Sequence, residues 1–191
     1  MTKPHLYVFA GANGSGKSTV IDFYLKNNLC PQEYICPDQL VPADKKEDVG
    51  EYILAMNEAE KRRIDKIALK EPFTFETVLS TERNLLLLQK AKSRGYEVRC
   101  VYVLTCDENI NVARVKARIV AGGHSVPANK IRARYRRALS LLPLLVEICD
   151  VIYVYDNSIS PVLIFNKEHN FSEIYPNSLW SEPALKNLLG I

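Results

Sequence analysis

Eight residues near the start of the chain, Gly11-Ala12-Asn13-Gly14-Ser15-Gly16-Lys17-Ser18, match the pattern G-x-x-x-x-G-K-[ST] at every required position. Few short patterns constrain a fold so strongly, because the match is meaningful only between a buried strand and a helix. His5 to Ala10 supplies an apolar, β-prone run before it, and Val20, Ile21, Tyr24 and Leu25 keep helical spacing after it. Glycines let successive N–H groups converge on an anion, and the helix that starts there adds the positive end of its dipole. In this arrangement Lys17 reaches the β- and γ-phosphates and Ser18 holds Mg²⁺. The candidate nucleotide-binding residues are therefore Gly11, Ala12, Asn13, Gly14, Ser15, Gly16, Lys17, Ser18 and Thr19. A nucleoside triphosphate, read as ATP with Mg²⁺, is the expected ligand.

The rest of the 191 residues read as further strand–helix units. Strands are expected at about 33–37, 73–78, 97–105 and 151–155, and helices at about 49–70, 81–94, 108–121, 128–148 and 182–189. Pro143 should kink or divide the helix that contains it. The segment 161–175 reads as a hairpin. Alternating βα units imply an α/β class with helices on both faces of a parallel sheet. With no linker, repeat or composition shift, one domain over 1–191 is expected. In the long helix at 49–70, Ile53, Met56, Ile64, Ile67 and Ala68 are assigned inward and Glu58, Glu60, Lys61, Arg62 and Arg63 outward.

Five cysteines, an odd number without C-x-x-C, point to reduced thiols rather than a disulfide framework. No run is long and apolar enough to span a membrane, and a soluble cytoplasmic chain is expected. A net charge of +3 does not by itself indicate nucleic-acid binding.

In open α/β sheets the chemistry gathers beyond the carboxyl ends of the strands. Asp38 follows the second strand and Glu76 ends the third. The first is read as the base that accepts the proton of an attacking hydroxyl, the second as a metal or substrate ligand. Thr77 and Ser80 lie next to Glu76 and join the candidate substrate-binding set; Ser18 and Glu76 form the candidate metal set. Ser80 or Thr81 is expected to cap the following helix. Between Glu108 and Glu147 there is no acid, while Arg114, Lys116, Arg118, Lys130, Arg132, Arg134, Arg136 and Arg137 all fall there. Two basic helices around Gly122-Gly123-His124 read as a lid over about 112–137, with Arg114 and Arg118 as catalytic candidates and His124 and Arg134 as phosphate contacts. Arg114 and Arg118 share a face of the first helix, and Arg132 and Arg136 share a face of the second. The rival reading of these cations is a nucleic-acid footprint, as in a polynucleotide kinase or nucleic-acid-dependent ATPase. A non-catalytic nucleotide sensor is a third.

Taken with Ile35-Cys36-Pro37-Asp38, Phe75-Glu76-Thr77, the arginines at 114 and 118, the 122–127 segment and Tyr155-Asp156-Asn157-Ser158, the chain resembles the zeta-toxin-like P-loop kinases. The resemblance implies a P-loop three-layer αβα fold with strand order 2-3-1-4-5. It also implies phosphorylation of a small hydroxyl-bearing acceptor, such as a UDP-linked amino sugar, and an antitoxin protein as partner. By the same likeness Asp156 and Asn157 border the adenine. The family carries an arginine shortly after the acid on the third strand; here only the more distant Arg83 could substitute, and His124 stands where those kinases have a clamp arginine.

Overall fold

A computed structural model describes residues 3–45, 48–120 and 126–191. Its seven-stranded sheet has the order β2-β3-β1-β4-β5-β6-β7. The strands β1 (His5–Ala10), β2 (Tyr34–Ile35), β3 (Phe73–Thr77), β4 (Glu97–Leu104) and β5 (Val151–Asp156) are parallel to one another. β6 (Val162–Glu168) and β7 (Phe171–Ile174) extend the sheet antiparallel, as the expected hairpin. The core order 2-3-1-4-5 is the one expected, and it places β1 centrally with β3 beside it.

The helices are α1 (Lys17–Lys26), α2 (Pro37–Leu40), α3 (Val49–Leu69), α4 (Arg83–Ser93), α5 (Glu108–Val120), α6 (Ala128–Ser140), α7 (Leu142–Ile148) and α8 (Glu182–Leu189). Pro143 divides the segment as its ring requires, at the start of α7 where its missing N–H costs nothing.

The central strands are apolar on both sides because both sides are covered. In β1 the side chains of Leu6, Val8 and Ala10 join the larger core with α3, α4, α7 and α8, while Phe9 points to the other face and meets Ile21 of α1. β4 alternates in the same way, Val98, Cys100, Tyr102 and Leu104 against Val101 and Val103. Each such fully buried side chain contributes about 1.5–3 kcal/mol.

Two local expectations are corrected. The inward stripe of α3 is Ala55, Ala59 and, as expected, Ile67, whereas Ile53, Met56, Ile64 and Ala68 are exposed. Small residues let this helix lie close to the sheet, and Arg63, assigned outward, falls on the same i, i+4 row. The start of α4 has Glu82 at its cap position with no side-chain cap; Ser80 and Thr81 instead face a cleft. Asp107 does cap α5, accepting from the Asn109 N–H at 2.8 Å.

Candidate active site

The loop between β1 and α1 owes its shape to its three glycines. Gly11, Gly14 and Gly16 have φ of 140°, 80° and 99°. Each also has no room for a side chain: a Cβ would lie 2.0 Å from the Val103 carbonyl oxygen, 2.5 Å from that of Asn111 and 2.2 Å from the Asn157 amide nitrogen, respectively. The loop is thus pressed against β4, α5 and the exit of β5, in a conformation that only glycines at these positions allow.

Neighbouring elements tie it down. Asn111, fully buried on α5, donates to the Asn13 carbonyl at 2.7 Å and is itself bonded to the Thr105 hydroxyl. Asn157 donates to the Ser15 carbonyl at 2.8 Å. Arg134 of α6 reaches the Asn13 side chain at 3.2 Å, and the Tyr135 hydroxyl donates to the Thr105 carbonyl at 2.6 Å. Asp156, expected near the adenine by resemblance, is buried and accepts from the N–H and hydroxyl of Ser158.

Beyond the loop opens a cleft of about 840 Å³. Asn13, Gly14, Gly16, Lys17 and Ser18 line it together with Asp38, Glu76, Thr77, Ser80 and Arg83, and with Arg114, Arg118 and Arg134. Of the remaining sequence candidates, Gly11, Ala12 and Ser15 are buried behind the loop and Thr19 is exposed, not among the lining residues. His124 and the glycine turn lie outside the described residues. Tyr52, Arg63 and Asn84, none of them a sequence candidate, also line the cleft.

Lys17 is buried and its ammonium donates to the Ala12 carbonyl at 3.2 Å. Burial lowers its pKa; Glu76 opposes that and Arg118 reinforces it, so all three charges share one neighbourhood. Glu76 sits at the register position of Phe9 on β1, one residue before the end of β3. Its Oε1 accepts from the Cys36 thiol at 3.5 Å, and the ligand atoms of Cys36, Asp38 and Glu76 all lie within 4.8 Å of one another. Burial, then Glu76, pushes the Cys36 thiol up to about 11. Burial, then Asp38, holds the Tyr52 phenol at about 12, so it remains a hydrogen-bond donor at neutral pH.

Thr77 is drawn inward. Its hydroxyl accepts from the Leu79 N–H at 2.9 Å and from Asn84 at 2.8 Å, and its carbonyl accepts from the Gly11 N–H. This holds Leu79, buried with φ 53°, in a left-handed turn that presents Ser80 and Thr81 to the cleft. Arg83, the next arginine after Glu76 in sequence, is paired with Glu60 of α3. Arg63 arrives instead from α3, its guanidinium 5.0 Å over the Phe75 ring.

The basic segment is divided. Arg114 donates to the Asn157 and Ser158 carbonyls at 2.8 and 3.1 Å. Arg132 and Arg136 share a face and both pair with Glu108, Arg136 in two hydrogen bonds. Lys116, Lys130 and Arg137 are exposed.

Fold and loop together define a P-loop kinase-like protein, and known structures agree. A chain of the PezAT chromosomal toxin–antitoxin system of Streptococcus pneumoniae matches with a TM-score of 0.62 at 17% identity, covering 100% of this chain and 84% of that one. The AvrRxo1-ORF1:-ORF2 complex matches at 0.71 and 12% identity over 98% of this chain and 64% of that one, and a structure of that complex with ATP matches at 0.66. No family model matches the chain. An uncharacterized protein of Haemophilus influenzae is 30% identical over 131 residues, 66% of this chain and 89% of the relative, and the chain belongs to the same family. Among the described residues no helix is long and apolar enough to cross a membrane.

Proposed function

We propose that this protein transfers the γ-phosphoryl group of ATP to a hydroxyl of a small acceptor. The observation that carries the reading is that Asp38 and Glu76, from the ends of adjacent strands, line the same cleft as the phosphate loop. The positive-φ glycines form a cradle for phosphate, and Ser18 and Glu76 supply the hard oxygen donors that Mg²⁺ takes. Bound there, Mg²⁺ would neutralise charge on the β- and γ-phosphates.

The remaining work falls to this chain's own groups. Lys17 and Arg118 set positive charge where the transferred phosphoryl would lie, and Arg134 joins them from α6. Arg114 acts as a positioning residue, fixing α5 to the exit of β5. Asp38 accepts the acceptor's proton as its oxygen bonds to the γ-phosphorus and the bond to ADP breaks. α5 and α6, hydrogen-bonded to the loop through Asn111 and Arg134, form the lid of a single domain. A UDP-linked amino sugar is the first acceptor to try, on the resemblance of its motifs. The ion pairs of Glu108 with Arg132 and Arg136 argue against a continuous nucleic-acid footprint.

The test is incubation with ATP, Mg²⁺ and a small-molecule extract, followed by a search for compounds heavier by one phosphoryl group. Lys17→Ala is expected to lose ATP binding; Asp38→Ala should keep it and lose transfer by about 10²–10⁴-fold. An Asp38→Ala variant that transfers at the parent rate removes the base. ATP binding without turnover over a broad panel supports a sensor, and strongly salt-dependent oligonucleotide binding supports a polynucleotide kinase.

A protein partner is a second reading. Similar structures come from a toxin–antitoxin system and a two-protein complex, and α3 leaves Val49, Ile53 and Leu54 exposed on the helix that carries Tyr52 and Met56 into the cleft. It predicts a second polypeptide that copurifies in fixed ratio from the native host and blocks ATP binding; a chain that purifies alone argues against it.

A further inference from the structure

Arg62 and Arg63 of α3 and Arg83 of α4 differ in how their charge is met. Arg62 is paired with Glu58 and Arg83 with Glu60. Arg63 lines the cleft half-buried, and its Nε is sealed from water without a hydrogen-bond partner among the described residues. Its guanidinium lies over Phe75, and burial lowers its pKa. A leucine or methionine would cover the same ring without a charge to desolvate, so packing alone does not call for arginine here. The Cys36 thiol is close enough to act on its charge, and Tyr52, Asn84, Asp38 and Glu76 line the same cleft. Under the proposed function those carboxylates are committed to proton and metal, and neither is within ion-pair distance of Arg63.

We propose that Arg63 is an anion anchor: the acceptor carries a carboxylate or phosphate group besides the hydroxyl that reacts, and the guanidinium of Arg63 binds it. This rests on the kinase reading and deepens it by naming the acceptor's charge class. Arginine suits the task because its planar fork matches both anions and stays charged despite burial. Asp38, its carboxylate within 4.8 Å of the Cys36 sulfur, then meets the acceptor's hydroxyl.

The experiment separates the two readings. The full chain is first loaded with Mg²⁺ and a non-hydrolysable ATP analogue, which occupies Lys17, Arg118 and Arg134. It is then titrated calorimetrically with inorganic phosphate and, separately, with malonate. Saturable binding of at least one is expected, weakened tenfold or more in Arg63→Met and partly restored in Arg63→Lys; the two arms tell a phosphorylated acceptor from a carboxylic one. Arg63→Gln replaces the methionine variant if that does not fold. In turnover assays with matched pairs (glucosamine and its 6-phosphate, glycerol and glycerate), the anionic members are the substrates, and Arg63→Met raises KM more than it lowers kcat. Equal anion affinity in parent and variant, no binding of either anion to the loaded parent, or equal turnover of neutral members overturns the proposal. Anion binding through Arg63 with no turnover of any acceptor instead overturns the kinase reading alone.

Discussion

Lys17 holds its charge in a place from which the loop has excluded water. Its pKa is lowered by burial, which means that keeping the ammonium ionised costs folding stability. A depressed lysine binds fewer protons folded than unfolded, so its penalty is full below its folded pKa and fades as pH rises toward the ordinary lysine value. Lys17→Met is therefore expected to raise the melting stability of the nucleotide-free protein at neutral pH by about 1–2 kcal/mol while abolishing ATP binding, a trade of stability for function. That advantage should shrink as the pH is raised. Unfolding curves at several pH values check both statements. Lys17 was legible in sequence from the phosphate-loop pattern, and Asp38 and Glu76 because one follows a short strand and the other closes one, where topology makes a side chain's direction predictable. Arg63 was not. The signal was present, since Ala55, Ala59, Arg63 and Ile67 recur every four residues, but the larger apolar side chains at 53, 56 and 64 mark a different face.

α5 and α6 are coupled to the phosphate loop by hydrogen bonds rather than by apolar packing alone. Asn111→Ala would leave the Asn13 carbonyl and the Thr105 hydroxyl without their buried partner, a loss of about 1–3 kcal/mol. If this contact shapes the loop, ATP affinity in the variant falls along with stability. Denaturant unfolding and an ATP titration read the two separately, and unchanged affinity would confine Asn111 to a structural role. The same elements show how the basic segment is divided. Eight cations without an intervening acid look like one surface in sequence, but Glu108, the first residue of α5, meets Arg132 and Arg136 from α6. Only docking of the two helices brings these charges together.

Across the molecule, the cleft sits where three parallel strands end and two helices approach, so ligand and fold are thermodynamically linked. A ligand present at one hundred times its Kd stabilises the folded state by about 2.7 kcal/mol. For a chain of 191 residues that corresponds to a rise of roughly 5–10 °C in Tm, measurable by scanning calorimetry with ATP and Mg²⁺. No shift, with ATP at millimolar concentration, would remove the nucleotide from the proposed function. The strand count follows from periodicity, and the parallel core follows from the alternation of strands and helices. The two antiparallel strands at the β5 edge were foreseen as a hairpin because turn residues separate two apolar runs.

By itself the sequence determined the phosphate loop, the alternation that makes a parallel sheet, and the two carboxylates at its edge, because these depend on local spacing and on chain direction. Tertiary structure alone decided which face of α3 turns inward, which arginines remain free of carboxylates, and that Thr77 braces a strained turn while Asn111 and Asn157 brace the loop. Those outcomes depend on which surfaces meet, and contacts between residues far apart in the chain leave no periodic trace in the sequence.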